Sequence, residues 1–272
     1  MNIIHTTTNN FHFERQTGVK SKSLNHLQTH DFYEVYYLSD GKRKYFLDNT
    51  IYTITPGDLI IIPPDVIHRT IEDGENVYSR ILMDIPLHYF DQELLKLCKI
   101  APPAYFISIP KSHQPVLNNL LQKLENEYRS KDEHSQYLIK QLINELLIFL
   151  IRSTQHHDFS HSAVESGQLI NQATRYISEN YEKPLSLNEI AKQLGISKSH
   201  FCRLFKKKTG ANFSDYLTGV RINEAAKMLR ATDLSVTEIA LRCGYNDSAY
   251  FAMIFKKIKN TTPLKYRNSY GP

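Results

Sequence analysis

Along the front of the chain, apolar residues come in short bursts: FYEVYYL, KYFLDNTIYTI, DLIIIPP and VYSRILMDI. Each mixes β-branched and aromatic residues, and the bursts are separated by turn formers such as Ser-Asp-Gly-Lys, Pro-Gly-Asp and Asp-Gly-Glu-Asn. Short strands at this spacing predict an antiparallel barrel or sandwich. From about residue 112 the period becomes helical, predicting helices over about 112–130 and 133–152. In the second, Leu138, Leu142, Ile143, Leu146 and Leu150 recur at steps of three and four, and Ile139, Leu147 and Ile151 widen the stripe. So broad a stripe must be covered by the barrel, by another helix or by a second subunit. The period is lost in STQHHDFSHSAVESG and returns beyond it. The expected architecture is α+β and multidomain: a β-barrel over 1–110, a helical dimerisation segment over 111–152, a linker over 153–167 and an all-α domain over 168–272.

The helical domain contains one unit written twice. Ser186, Glu189, Ile190, Ala191 and Gly195 match Ser235, Glu238, Ile239, Ala240 and Gly244 at an offset of 49 residues. One residue is then inserted, and Phe201, Leu204, Phe205, Lys206 and Lys207 match Phe251, Ile254, Phe255, Lys256 and Lys257 at an offset of 50. Ser-x-x-Glu before an apolar run predicts a capping box, in which serine and glutamate each accept from an orphan backbone N–H. The glycine follows the last helical residue, where a left-handed backbone is cheap only without a Cβ. Ser197 and Asn246 stand where they would cap a second helix. Two helices about such a turn form a helix-turn-helix, whose second helix fits a DNA major groove. A plain helical bundle is the alternative, and two matched copies ending in Phe-Lys-Lys argue against it.

Charge points the same way. From Val164 onward there are 17 Lys/Arg against 9 Asp/Glu, a net of +8, whereas the preceding residues carry a net of −3. Only the back half is suited to a polyanion. Three scattered cysteines, Cys98, Cys202 and Cys243, without a Cys-x-x-Cys pair, argue against a disulfide framework or zinc finger. No charged-then-apolar leader and no bilayer-length apolar run are present, so a cytoplasmic protein without a membrane partner is expected.

The stretches LSLNEIAKQLGISKSHFCRLFKKKTG, YLTGVRINEAAKMLR and IALRCGYNDSAYFAMIFKKIKNTTPLKYR resemble the DNA-binding domain of the AraC/XylS family of bacterial transcription regulators. The resemblance implies seven helices, with the helix carrying Arg221 to Leu229 bridging the two units. Helical spacing leaves Ser199, His200, Cys202, Arg203 and Lys206 facing outward in the first recognition helix, and Asp247, Ser248, Ala249, Ala252, Met253 and Lys256 in the second. The family pattern also places DNA-facing side chains at positions matching Ser199, Cys202 and Arg203. Arg203 is the leading base reader, since its planar fork matches guanine O6 and N7. The second set is poor in long donors, which predicts an asymmetric reader whose second helix supplies thymine-methyl contacts and phosphate anchoring. For Lys206, Lys207, Lys256 and Lys257 the partners are phosphates or solvent.

In the front half, QTHDFYEVYYLSDGKRKYF and TPGDLIIIPPDVIHR resemble the cupin-like barrel that many regulators of this family carry at the N-terminus. Pro56-Gly57-Asp58 and Pro63-Pro64-x-x-x-His68 are its most specific parts. Metal-dependent cupin enzymes commonly present a His-x-His pair, a later Glu and a final His. His30, Glu34 and His68 fit that pattern, but Gln28 replaces its first histidine. Three readings follow. His30, Glu34 and His68, with Arg80 if its strand faces inward, bind a small polar effector, for which a sugar is the family-based expectation. Alternatively, the three residues hold a metal with water in an oxygenase-like enzyme fused to the DNA-binding domain, or the barrel only dimerises. The first is adopted: a non-enzymatic regulator without cofactor or metal, taken as an activator although these residues do not say whether RNA polymerase is recruited or excluded. It is expected to bind double-stranded operator half-sites as a homodimer, with RNA polymerase as a further partner. His156, His157 and His161 read as solvated linker imidazoles. DNA-alkylation repair proteins with this motif use reactive cysteines; Cys98 has no activating neighbour and the other two lie inside the repeated units, so that reading is set aside.

Overall fold

The computed structural model describes residues 3–20, 26–47, 50–71, 77–97, 106–130, 132–154 and 168–270. Among the described residues, ten strands form two five-stranded sheets: β1 (Ile3–Thr6), β2 (His12–Lys20), β3 (Leu27–His30), β4 (Tyr33–Asp40), β5 (Arg43–Leu47), β6 (Thr50–Ile54), β7 (Asp58–Ile62), β8 (His68–Ile71), β9 (Val77–Ile85) and β10 (Phe106–Ser108). The first sheet runs β1-β3-β8-β5-β6 and the second β10-β7-β4-β9-β2; all pairings are antiparallel except β1 with β3. The apolar bursts do not announce β1, β2, β3, β8 or β10. β2 is an edge strand, paired with β9 alone and mostly exposed, so it lacks an apolar run.

The second sheet is covered on both faces, which explains why β7 reads DLIII without alternation and is buried at every position. Ile60 and Ile62 point between the sheets, with Tyr36, Tyr45 and Leu47. Leu59 and Ile61 point outward into a core with α2 (Gln114–Ser130) and α3 (Ser135–Thr154). A short helix, α1 (Gln92–Leu97), which the strand pattern did not lead one to expect, packs beside α3. The predicted stripe on α3 is largely consumed here: Ile139, Leu142, Ile143, Leu146, Leu147 and Leu150 are buried in that core, whereas Leu138 is 48% exposed. α3 continues through Thr154, two residues into the segment predicted as linker, and Ser153 is buried with its hydroxyl 3.3 Å from His113 Nδ1. His156, His157, His161 and Cys98 lie outside the described residues.

The outer face of the first sheet is covered by the helical domain. Among the described residues its seven helices are α4 (Gln168–Glu179), α5 (Leu187–Gln193), α6 (Lys198–Thr209), α7 (Phe213–Ala231), α8 (Val236–Arg242), α9 (Ser248–Lys259) and α10 (Pro263–Tyr270). Ile3, Leu27, Phe46, Ile51 and Ile67 of the barrel join Tyr216, Phe205 and Phe255 of this domain in one continuous core. No helix among the described residues is long and apolar enough to cross a membrane.

Candidate nucleic-acid interface and effector pocket

Both repeated units are built by the same local chemistry. After α5, the Gly195 N–H donates to Lys192 O and the Ile196 N–H to Ala191 O; after α8, Gly244 and Tyr245 donate to Leu241 O and Ala240 O. These are matched Schellman ends, with Gly195 at φ 69° and Gly244 at φ 76°. Phe201 and Phe205 in α6, like Phe251 and Phe255 in α9, are fully buried as neighbouring ring pairs. α7 bridges the units, and Arg221 ties it to the α4–α5 turn by donating to Tyr181 O and Lys183 O.

Two capping expectations are corrected. The capping box forms at Ser235 and Glu238, but Ser186 makes no side-chain cap bond at α5. Ser197 caps α6 as predicted, whereas α9 is capped by Asp247 rather than Asn246: its carboxylate accepts from the N–H groups of Ala249 and Tyr250. A carboxylate facing the positive end of a helix is the better acceptor, and the inserted residue makes it available.

The outward faces of α6 and α9 are free. Ser199, His200, Cys202, Arg203, Lys206 and Lys207 are exposed, as are Asp247, Ala249, Met253, Lys256 and Lys257, while Ser248 and Ala252 are half-buried. The Asp247 side chain is engaged with its own helix, so of the second set it is the least suited to face phosphate.

Between the two sheets lies a cavity of about 740 Å³. Strand alternation aims Gln28 and His30 from β3, Glu34 and Tyr36 from β4, Arg43 and Tyr45 from β5, His68 from β8, and Tyr78, Arg80 and Asp84 from β9 into it. His30, Glu34, His68 and Arg80 thus come together as predicted for a pocket. Tyr36 and Asp84 were readable from the same period of two, counted from Glu34 and Arg80. Arg43 and Glu14 were not, because the first precedes any apolar run and the second sits on the polar edge strand.

The pocket polarises its groups strongly. Burial raises the Glu34 carboxyl to about 7 against the opposing charge of Arg80, and burial with Glu34 nearby raises Asp84 to about 7. Burial lowers His68 to about 4 and puts His30 well below its usual value, so both imidazoles are neutral at pH 7. Arg80 donates to Glu14 Oε2 at 2.7 Å. Among the described residues, buried polar atoms around the cavity that lack a hydrogen-bond partner include His30 Nε2, the Tyr36 hydroxyl and Arg80 Nη1. Among the described residues, His30, Glu34 and His68 form a set of potential metal ligands whose donor atoms all lie within 4.8 Å of one another.

The same two strands that aim histidines inward aim their neighbours at the helical domain. On β8, His68 lines the cavity while the Arg69 Nη2 group donates to the backbone oxygen of Lys207, near the end of α6. On β3, His30 lines the cavity while Thr29 accepts from Lys259 Nζ of α9 at 3.3 Å. Between them sits Asp65, at φ 62°, whose N–H donates to His30 O at 2.8 Å. Its carboxylate meets Lys259 Nζ at 2.6 Å and Arg230 Nη1 at 2.5 Å and accepts from the Tyr266 hydroxyl at 3.2 Å. Burial alone would raise the Asp65 carboxyl; the charges of Lys259 and Arg230 hold it down to about 2. Lys259 was legible as inward-facing, four residues beyond Phe255, but its partner across the sequence was not.

Comparison with known proteins adds two family matches. Residues 24–147 match the AraC-like ligand binding domain, and residues 190–269 match a helix-turn-helix domain. The HTH-type transcriptional activator RhaR of Mannheimia succiniciproducens is 27% identical over 251 residues, covering 90% of this chain and 87% of that protein. An uncharacterized HTH-type transcriptional regulator of Staphylococcus aureus is 26% identical over 92% of this chain, which spans only 33% of its length. Among solved structures, the C-terminal domain of AraT, a response regulator from Geobacillus stearothermophilus, is 31% identical over 40% of this chain and 91% of its own, with a TM-score of 0.39.

Proposed function

Because this chain belongs to the AraC/XylS family of transcription regulators, we propose that it reads a specific duplex with α6 and α9 under the control of a small polar effector held between the two sheets. The observation that carries the reading is the matched pair of helix-turn-helix units whose outward faces stay exposed while their phenylalanines are buried. Arg203 supplies the principal base contact, and Lys206, Lys207, Lys256 and Lys257 anchor phosphates. Control passes through β3 and β8. An effector engaging His30 and His68 displaces strands whose opposite faces hold the C-terminal ends of both reading helices, through Thr29, Asp65 and Arg69. Such an effector shifts the equilibrium only by its differential affinity for the two arrangements.

The protein acts as a homodimer in this reading. With the inner stripe of α3 spent on the barrel, the apolar surface left for a second subunit is its other face, where Tyr137 and Ile148 are 75% and 38% exposed. The test is selection from a randomised duplex pool by the full chain. A defined motif is expected, and Arg203→Ala should weaken binding to it by about 1–3 kcal/mol and relax preference at one position. Enrichment of no sequence over competitor contradicts the proposal.

A further inference from the structure

We propose that His30, Glu34 and His68 bind a divalent transition-metal ion at the floor of the pocket, and that the effector is a molecule with oxygen donors that completes its coordination. This deepens the effector-pocket reading and rests on it.

The orientation of the two imidazoles carries the inference. His30 Nδ1 lies 2.7 Å from Phe32 O, and His68 Nδ1 lies 3.0 Å from Val66 O. A carbonyl only accepts, so each Nδ1 bears the proton and each Nε2 presents a lone pair. Imidazoles that ligate metals are oriented by this kind of second-nitrogen hydrogen bond. The His30 ring is also fixed by stacking on Phe32, with centroids 4.3 Å apart and planes 13° from parallel.

Both lone pairs face the same carboxylate oxygen. Glu34 Oε2 is 3.9 Å from His30 Nε2 and 3.8 Å from His68 Nε2, too far for hydrogen bonds. Donors sharing one ion at about 2.0–2.2 Å stand roughly 3–4 Å apart; both distances to Glu34 Oε2 fall in that range, and the three atoms together lie within 4.8 Å, so the set closes on an ion with a side-chain shift of under an ångström. Among the described residues no hydrogen bond links the three atoms, and His30 Nε2 is buried without a hydrogen-bond partner. Arg80 does not fill the gap by hydrogen bonding to Glu34; the hydrogen bond it makes to a carboxylate goes to Glu14. Two imidazoles and one carboxylate suit zinc, iron(II), cobalt(II) or manganese(II) and leave positions open. Those positions face the cavity, with Gln28, opposite His68 in register, at its wall.

The experiment uses the full chain, stripped with chelator and titrated with Co²⁺ followed by visible absorption, with Zn²⁺ equilibrium dialysis in parallel. One ion per chain with ligand-field bands is expected, and His68→Ala and Glu34→Gln should each weaken binding at least about tenfold. Gln28→His, which adds an imidazole beside His68, should tighten binding and answers the case in which the first two variants fail to fold. The triple substitution His156→Ala, His157→Ala and His161→Ala should change nothing. Absence of saturable binding, or binding that survives the pocket variants and vanishes in the linker variant, overturns the proposal. Operator selection by the same preparation is measured separately, so loss of the metal proposal and loss of the regulator reading give different results.

Discussion

His68 and Arg69 are neighbours in the chain and face opposite ways, one into a cavity and the other onto the helical domain. At the residue scale, the period of two in a β-strand is what brings pocket and reader within one side chain of each other. His5 shows how finely this seam is tuned. It is buried in the seam, 2.7 Å from the Thr29 hydroxyl, and faces Lys259, Asp65 and Arg230. Burial first, then the Lys259 charge, lowers it to about 3. A folded pKa below the unfolded one means that stability is fully present above about 6.5 and is lost as pH falls toward 3. Between pH 7 and pH 5 the fold should lose about 2 kcal/mol through this residue. Glu34 and Asp84, raised to about 7, pull the other way over that interval, so the difference is the readout: wild type should lose about 2 kcal/mol more than His5→Gln between pH 7 and pH 5, and equal changes in both remove His5 from the seam's energetics.

At the element scale, the two turns carry the same glycine with different surroundings. Gly195 has open space around its missing Cβ, whereas a Cβ on Gly244 would meet Glu182 O at 2.7 Å and Arg221 Nη2 at 2.8 Å. Gly195→Ala should cost about 1–2 kcal/mol from the left-handed backbone alone. Gly244→Ala should cost about 1–3 kcal/mol more, because the Glu182 backbone and the Arg221 side chain of α7 must give. Denaturant titration of both variants decides this, and equal losses would mean that the turn packs no more tightly against α7 than the first one does. These elements were legible because capping residues, glycine and helical period agree over a short span. The recognition helices and the α2–α3 pair were readable for that reason, and β4, β5, β6, β7 and β9 from their apolar bursts. β1, β2, α1 and the Asp247 cap were not, since an edge strand needs no apolar run and an insertion shifts the cap by one position. The pocket residues His30, Glu34, His68 and Arg80 were legible by motif and strand alternation. Arg43 and Glu14 required knowing which strands pair.

At the scale of the whole molecule, barrel and reader are joined by one apolar core with a buried charge cluster inside it. Asp65 and Lys259 have fully buried side chains, and Arg230 is one-quarter exposed. Truncating the shared carboxylate strands two cations, so Asp65→Ala should cost about 3–5 kcal/mol and separate the unfolding of barrel and reader. Pairing it with Lys259→Met should recover a large part of the loss, because the stranded ammonium is then gone. Calorimetry on the single and double variants reads both effects; a single cooperative transition at wild-type temperature in Asp65→Ala would show that the cluster does not hold the halves together. No long-range pairing of this kind is visible in a linear sequence: Asp65 lies in a proline turn and Lys259 at the end of a lysine-rich helix.

The central claim is that one chain lays two helices on duplex DNA. Hydroxyl-radical footprinting of the full chain on its selected duplex tests it most directly. The account predicts two protected windows per chain on one face of the helix, about 34 Å apart, the separation of successive major grooves. Protection confined to a single groove would contradict it.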